Sequence, residues 1–187
     1  MAELNGVRLK AIKRVVGCDR YCAQGKIFIE GKRIGTWSQD IWGGADKYDI
    51  DEAGWQLLTD RASSYYRKHP VVDEAILMQL NAEEIDFNNL PMTDYSNTDS
   101  IIDYFMSNLL WLIDLDKQYR KYTKEHNEKV MGILDFYKGN WVIPKFKGYT
   151  LFRDTKEEIY KELEDILEEF PYAYITCFSD VDDFVIN

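Results

Sequence analysis

The chain has 187 residues, 45% of them hydrophobic, with five tryptophans and a formal net charge of −10. That length suits one well-formed core and is short for two, and the apolar share excludes disorder along the whole chain. The acidic balance disfavours direct DNA binding, which needs clustered Lys and Arg against phosphates. The longest apolar run, Leu109 to Ile113, falls far short of the roughly 20 residues that span a bilayer.

In chain order, Val7-Arg-Leu-Lys-Ala alternates apolar and basic residues, and Cys22 to Glu30 alternates again before Gly31-Lys32 and Arg33 to Ser38. Period-2 patterns on both sides of a short glycine-containing turn predict a hairpin, and three antiparallel strands are expected within 1–38. Gly25 inside the second strand points to a bulge or a close backbone approach. Gln39 to Tyr48, broken by Gly43-Gly44, reads as a loop. Asp49 with Glu52 has the spacing of a helix cap, and Trp55, Leu58, Ala62 and Tyr65 share one face of a helix predicted over 51–67, packed on the hairpin sheet.

His69-Pro70 ends that helix, and Pro70 can open a shorter one over 71–81. Asn88 to Asp99 is dense in turn formers and reads as an exposed connection. A long helix over 100–123 is apolar on most of its circumference up to Leu115 and charged from Asp116, so its first half is the expected central buried helix. Two short apolar runs separated by Lys138-Gly139-Asn140 predict a hairpin over 129–146, with Pro144 placing its second strand at an edge. Asp154 and Thr155 can cap a helix over 155–169, whose Ile159, Leu163, Ile166, Leu167 and Phe170 form one stripe. Pro171 ends it, a strand follows from Tyr172 to Phe178, and an acidic turn closes the chain. The whole reads as a single α+β domain: an N-terminal antiparallel hairpin sheet, a central buried helix and a C-terminal acidic amphipathic helix packed on the sheet.

Chemistry-bearing constellations are few. Cys18 and Cys22 form one close pair of soft ligands, and a zinc site would draw two more from Cys177, His69, His126 or a carboxylate. The competing reading buries Cys22 in a strand and leaves Cys18 in the turn before it. Asp46, Asp49, Asp51 and Glu52 crowd the approach to the first helix, where capping and the helix dipole account for acids without a metal. Asp180, Asp182 and Asp183 crowd the last turn. His69 precedes a proline and His126 sits at a charged helix exit, so neither reads as a catalytic base. Gly43-Gly44 lacks the Lys-Ser/Thr of a phosphate-binding loop. A non-enzymatic protein is expected, with no resident cofactor and zinc as the alternative.

The charge comes in blocks. Residues 36–116 hold 16 acidic against 4 basic side chains and 151–187 hold 11 against 3, while 1–35 and 117–150 each hold 8 basic against 3 acidic. Glu157, Glu164, Asp165 and Glu168 fall on the outward face of the last predicted helix. Carboxylates three or four residues apart on a helix stand about 5–6 Å apart, near the interval between backbone phosphates. Such a face, with Asp180, Asp182 and Asp183 beside it, is the expected contact for a basic partner.

The segment from Tyr21 through the hairpin to Asp40-Ile-Trp-Gly-Gly44 resembles small acidic accessory proteins of phages and mobile elements in Gram-positive bacteria. Those proteins share a hairpin of the form aromatic-x-(Gly/Lys)-x-x-Gly that ends in Asp-x-x-Gly-Gly. The tail, a helix followed by Pro171, a strand and Asp182-Asp-Phe-Val, looks like the same group. The resemblance implies an anti-CRISPR inhibitor of a type II CRISPR nuclease or its guide-RNA complex, acting before guide or target DNA is loaded, and it carries over no catalytic residue. A metal-dependent enzyme, or an interaction module without an antidefence role, are the alternatives. The N-terminus shows neither a basic n-region nor an apolar h-region, so a cytoplasmic protein is expected.

Overall fold

The structure is a computed structural model that describes residues 1–16, 21–40, 42, 44–72, 92–93, 100–126, 129–135, 150–169 and 174–187. It is a mixed α+β fold whose described strands form a six-stranded, a three-stranded and a two-stranded sheet. Strands β1 (Glu3–Leu4), β2 (Val7–Val16), β3 (Tyr21–Ile29), β4 (Lys32–Ser38) and β5 (Lys47–Ile50) form five strands of the larger one. The sixth, β11 (Val185–Ile186), comes from the other end of the chain and lies parallel to β1, giving the order β11-β1-β2-β3-β4-β5.

Two turns with positive φ at both central residues build this sheet: Asn5 (44°) with Gly6 (80°), and Glu30 (50°) with Gly31 (82°). That backbone matches the twist of a two-residue hairpin. The expected three strands are present. The second turn falls at Glu30-Gly31, one residue before the Gly31-Lys32 position read from the pattern. Val7 and Leu9 face the core, and continued alternation would bring Ala11 and Lys13 inward as well. Instead Ala11 and Ile12 together oppose Gly25, and Ala11 takes a left-handed φ of 53°. This bulge reverses the phase of the strand, so that Ile12 packs on the core and Arg14 reaches Asp114. Gly25 eases the close approach there, since a Cβ would lie tightly, 3.3 Å from the Lys10 carbonyl oxygen.

Helix α1 (Glu52–Lys68) matches the expected 51–67, but its cap is Asp51, whose carboxylate accepts from the Gly54 N–H at 2.7 Å. Asp49 is instead in β5, paired with Thr36, so the loop read over 39–48 already gives way to strand at Lys47. Leu58, Ala62 and Tyr65 are buried as expected, while Trp55 is 41% exposed and meets Tyr48 edge-on. The helix expected over 71–81 is corrected at its start. Val71–Val72 forms β6, paired with β7 (Met92–Thr93), because β-branched neighbours after a proline favour extended backbone; residues 73–81 lie outside those described.

Helix α2 (Ile101–Glu125) is the central buried helix. Phe105, Met106, Leu109 and Leu112 fill the core against Leu58, Tyr65, Ile27 and Trp37. Its burial runs past the expected limit, to Asp116 and Tyr119. No helix among the described residues is long and apolar enough to cross a membrane.

The second sheet has the order β10-β8-β9, from β10 (Tyr174–Phe178), β8 (Val130–Asp135) and β9 (Thr150–Arg153). Strand β8 alternates strictly: Met131 and Ile133 join the main core, and Val130 and Leu134 join a separate outer cluster. The second strand of the hairpin expected over 129–146 lies outside the described residues. The acidic helix expected over 155–169 is corrected in two ways. It packs on this three-stranded sheet and not on the N-terminal one, and it is two helices, α3 (Lys156–Glu162) and α4 (Glu164–Glu169), broken at Leu163. The break keeps Leu163, Ile166 and Leu167 against the cluster.

Candidate partner-binding surface

Helix α3 begins with a reciprocal cap in which Thr155 accepts from the Glu158 N–H at 3.2 Å and Glu158 accepts from the Thr155 N–H. Ile159 then drops into the space over Gly132, where an added Cβ would lie 2.5 Å from the Ile159 Cγ2. These contacts fix which acids point out. Glu158 caps the helix and Glu162 pairs with Arg153. Glu157, Glu164, Asp165 and Glu168 are all exposed, and none forms an ion pair with another described residue. Glu157 stands on α3 and the other three on α4, so the even row expected on one helix is divided by the break at Leu163.

The acidic turn is a 3₁₀ segment, Val181–Phe184, joining β10 of the small sheet to β11 of the large one. Asp180 accepts from the Asp182 N–H at 3.0 Å, and Asp183 accepts from the N–H groups of Ser179 at 2.6 Å and Asp180 at 2.9 Å. Partial burial opposes ionisation of Asp183, but those N–H groups, the Ser179 hydroxyl and Lys156 outweigh it and hold the carboxyl below its ordinary range. Asp180 and Asp183 are therefore tied into the turn, with Phe184 buried beneath them, and Asp182 is exposed. The field of Lys156 reaches both Asp183 and Cys177, and that of Glu157 also reaches Cys177. The terminal turn and the start of α3 are thus neighbours.

Several described acids of the earlier block are used internally. Asp46 accepts from the Trp37 indole at 2.7 Å, and Asp103 from the Tyr48 hydroxyl at 2.6 Å. Burial, reinforced by Asp103, drives the Tyr48 phenol far above its ordinary value. Asp114 pairs with Arg14, and Asp116 with Arg120.

Of the zinc candidates, Cys22 is buried in β3 and its thiol donates to the Asp40 carbonyl at 3.4 Å; Cys18 lies outside the described residues. Cys177 is half-buried beside the outer cluster, and burial raises its thiol pKa. His69 and His126 each close a helix and lie against Tyr65 and Tyr122. Among the described residues no three His, Cys, Asp or Glu side chains converge as metal ligands.

Sequence reasoning missed the meeting of the two basic blocks. Lys10 of β2 and Lys117 and Arg120 of α2 line one cleft beside the buried Asp116. The block counts were the signal, since both blocks hold an excess of cations that had been given no role. Comparison with known protein families, curated proteins and solved structures finds no match for this chain.

Proposed function

We propose that this protein is a non-enzymatic inhibitor that docks an acidic face on a basic, nucleic-acid-handling nuclease, and that the partner is a type II CRISPR nuclease whose guide or target-DNA loading it blocks. The observation that carries the reading is the set Glu157, Glu164, Asp165 and Glu168, four exposed carboxylates on two adjoining helices without a described ion-pair partner. Several described carboxylates elsewhere cap helices, accept from buried aromatic donors or pair with Arg; these four have no such duty and stay available to a partner. Asp182 extends the same acidic end of the molecule. A basic groove shaped for phosphates attracts such a face, and the attraction speeds association and excludes acidic competitors. The resemblance of residues 21–44 to accessory proteins of mobile elements supports the choice of partner.

The test is capture of a type II CRISPR nuclease, with and without guide RNA, by the wild-type chain and by the quadruple variant Glu157→Lys, Glu164→Lys, Asp165→Lys, Glu168→Lys. All four positions are exposed, so circular dichroism is expected to be unchanged. Wild-type capture is expected to weaken as salt rises, and the variant to lose about tenfold or more in affinity at low salt. Undiminished capture by a folded variant rejects the acidic face as the contact, and no capture of either form of the nuclease by the wild-type chain rejects the partner.

A further inference from the structure

We propose that the cleft between β2 and α2 is a binding site for a small amphipathic carboxylate, an organic acid with an unbranched apolar body. The cleft is open to solvent and offers about 510 Å³, within the range of small-molecule sites. Its floor is apolar: Leu9 and Ile113 are buried, and Ile12 packs on the core beside them. Its rim is cationic on the α2 side, from Lys117 and Arg120, while Lys10 lines the other wall with its ammonium turned to the far face of the sheet. One acid, Asp116, faces these two cations in the lining, on a chain of net charge −10.

The groups at the rim are positioned. Asp116 is 6% exposed, accepts from the Ala2 N–H at 3.2 Å and holds the Arg120 Nε at 2.6 Å. A guanidinium has five N–H donors, and the Nη groups of Arg120 have no acceptor among the described residues, which leaves a pre-oriented fork for a carboxylate. The Lys117 ammonium is 3.9 Å from Asp114, an exposed and loosely held pair that leaves it able to reach a second carboxylate. The β2 bulge shapes the remaining wall, for Ala11 holds its left-handed backbone at the cleft while Ile12 is turned toward the floor. An anionic head on Arg120 and Lys117, with an alkyl tail over Leu9, Ile12 and Ile113, satisfies both halves of the site.

The experiment titrates octanoate, and separately octanol and octylamine, into the full chain and follows the methyl resonances of Leu9, Ile12 and Ile113. Octanoate is expected to give saturable shifts with a Kd about tenfold below that of octanol, and octylamine to bind more weakly than either. Lys117→Glu and Lys117→Gln, at the solvent edge, are expected to weaken octanoate about fivefold and about threefold at an unchanged unfolding midpoint, leaving octanol unaffected. Absence of saturable shifts, equal affinity for octanoate and octanol, or variants that bind octanoate as the wild type does would each overturn the site. The outcome is independent of nuclease capture, which the cleft does not enter.

Discussion

The main core and the outer layer of α3 and α4 sit on opposite faces of the same small sheet, yet they are held very differently. On the inner face Met131, Ile133, Phe152 and Phe178 join a cluster that continues through α2 to Trp37, Tyr65 and Ile27. On the outer face the cluster is Val130, Leu134, Ile159, Leu163 and Ile175, with Leu151, Ile166, Leu167 and Cys177 partly buried against it. Burial stabilises roughly in proportion to apolar area, so the layer that presents the free carboxylates rests on a small share of the total. The proposed contact surface is thereby separable from the scaffold, which opens local unfolding of α3 and α4 as a distinct event.

The strongest challenge to this contrast is a cavity in the main core. Phe105 is 0% exposed and meets Tyr65 edge-on at 5.7 Å between ring centroids. Phe105→Ala is expected to cost about 3–5 kcal/mol, and hydrogen exchange should show protection falling in both sheets together. Retention of full protection in β2, β3 and β4 would mean that α2 does not unify the fold.

A smaller effect is expected from Gly132→Ala. Replacing glycine by alanine at an ordinary φ stabilises by about 0.4–1 kcal/mol through the unfolded chain. Here the new methyl would lie 2.5 Å from Cγ2 and 3.0 Å from Cδ1 of Ile159, a side chain that is itself fully buried. Overpacking of that kind costs about 1–3 kcal/mol, so the clash wins. Exchange protection should drop in α3, α4 and β9 while the six-stranded sheet keeps its own. A uniform loss across both sheets would collapse the contrast into a single cooperative unit.

What could be read ahead of the structure follows from how local each signal is. The β3–β4 hairpin, α1 and the length of α2 rest on periodicity and turn residues a few positions apart, and all three are present. Pairing of β11 with β1 joins residues at opposite ends of the chain, and nothing in either short stretch announces it. Asn5-Gly6 did carry a hairpin signal, but it leads from a two-residue strand that alternation cannot reveal. The phase reversal at Ala11-Ile12 was hinted at only by Gly25 on the opposing strand. For the acidic surface, spacing identified the outward residues, whereas the break at Leu163 has no proline or glycine to announce it. The charged residues from Asp116 onward mark the expected end of the buried part of α2, yet Asp116 itself is buried, with tertiary and helical partners at Ala2 and Arg120.

The smallest effect concerns the turn that links the two regions, and its sign is set by Asp183. Its carboxyl is held below the ordinary value because the folded turn supplies N–H donors to the ionised form. A carboxyl depressed in the folded state binds fewer protons there than in the unfolded chain over that interval, so stability rises with pH across it. The contribution is fully present above about pH 4, the unfolded carboxylate value, and disappears as pH falls through the lower folded one. Asp183→Asn keeps the side-chain shape but presents only a neutral oxygen to the Ser179 and Asp180 N–H groups. Urea midpoints measured from pH 2.5 to 6 should show a modestly lower plateau for the variant and a shallower acid limb than the wild type. Because Phe184 is anchored by this turn and stacks on Phe178 at 4.5 Å, loss at the cap should also loosen β10 before β2. Parallel acid limbs for the two proteins would show that Asp183 does not set the pH response of the link between the sheets.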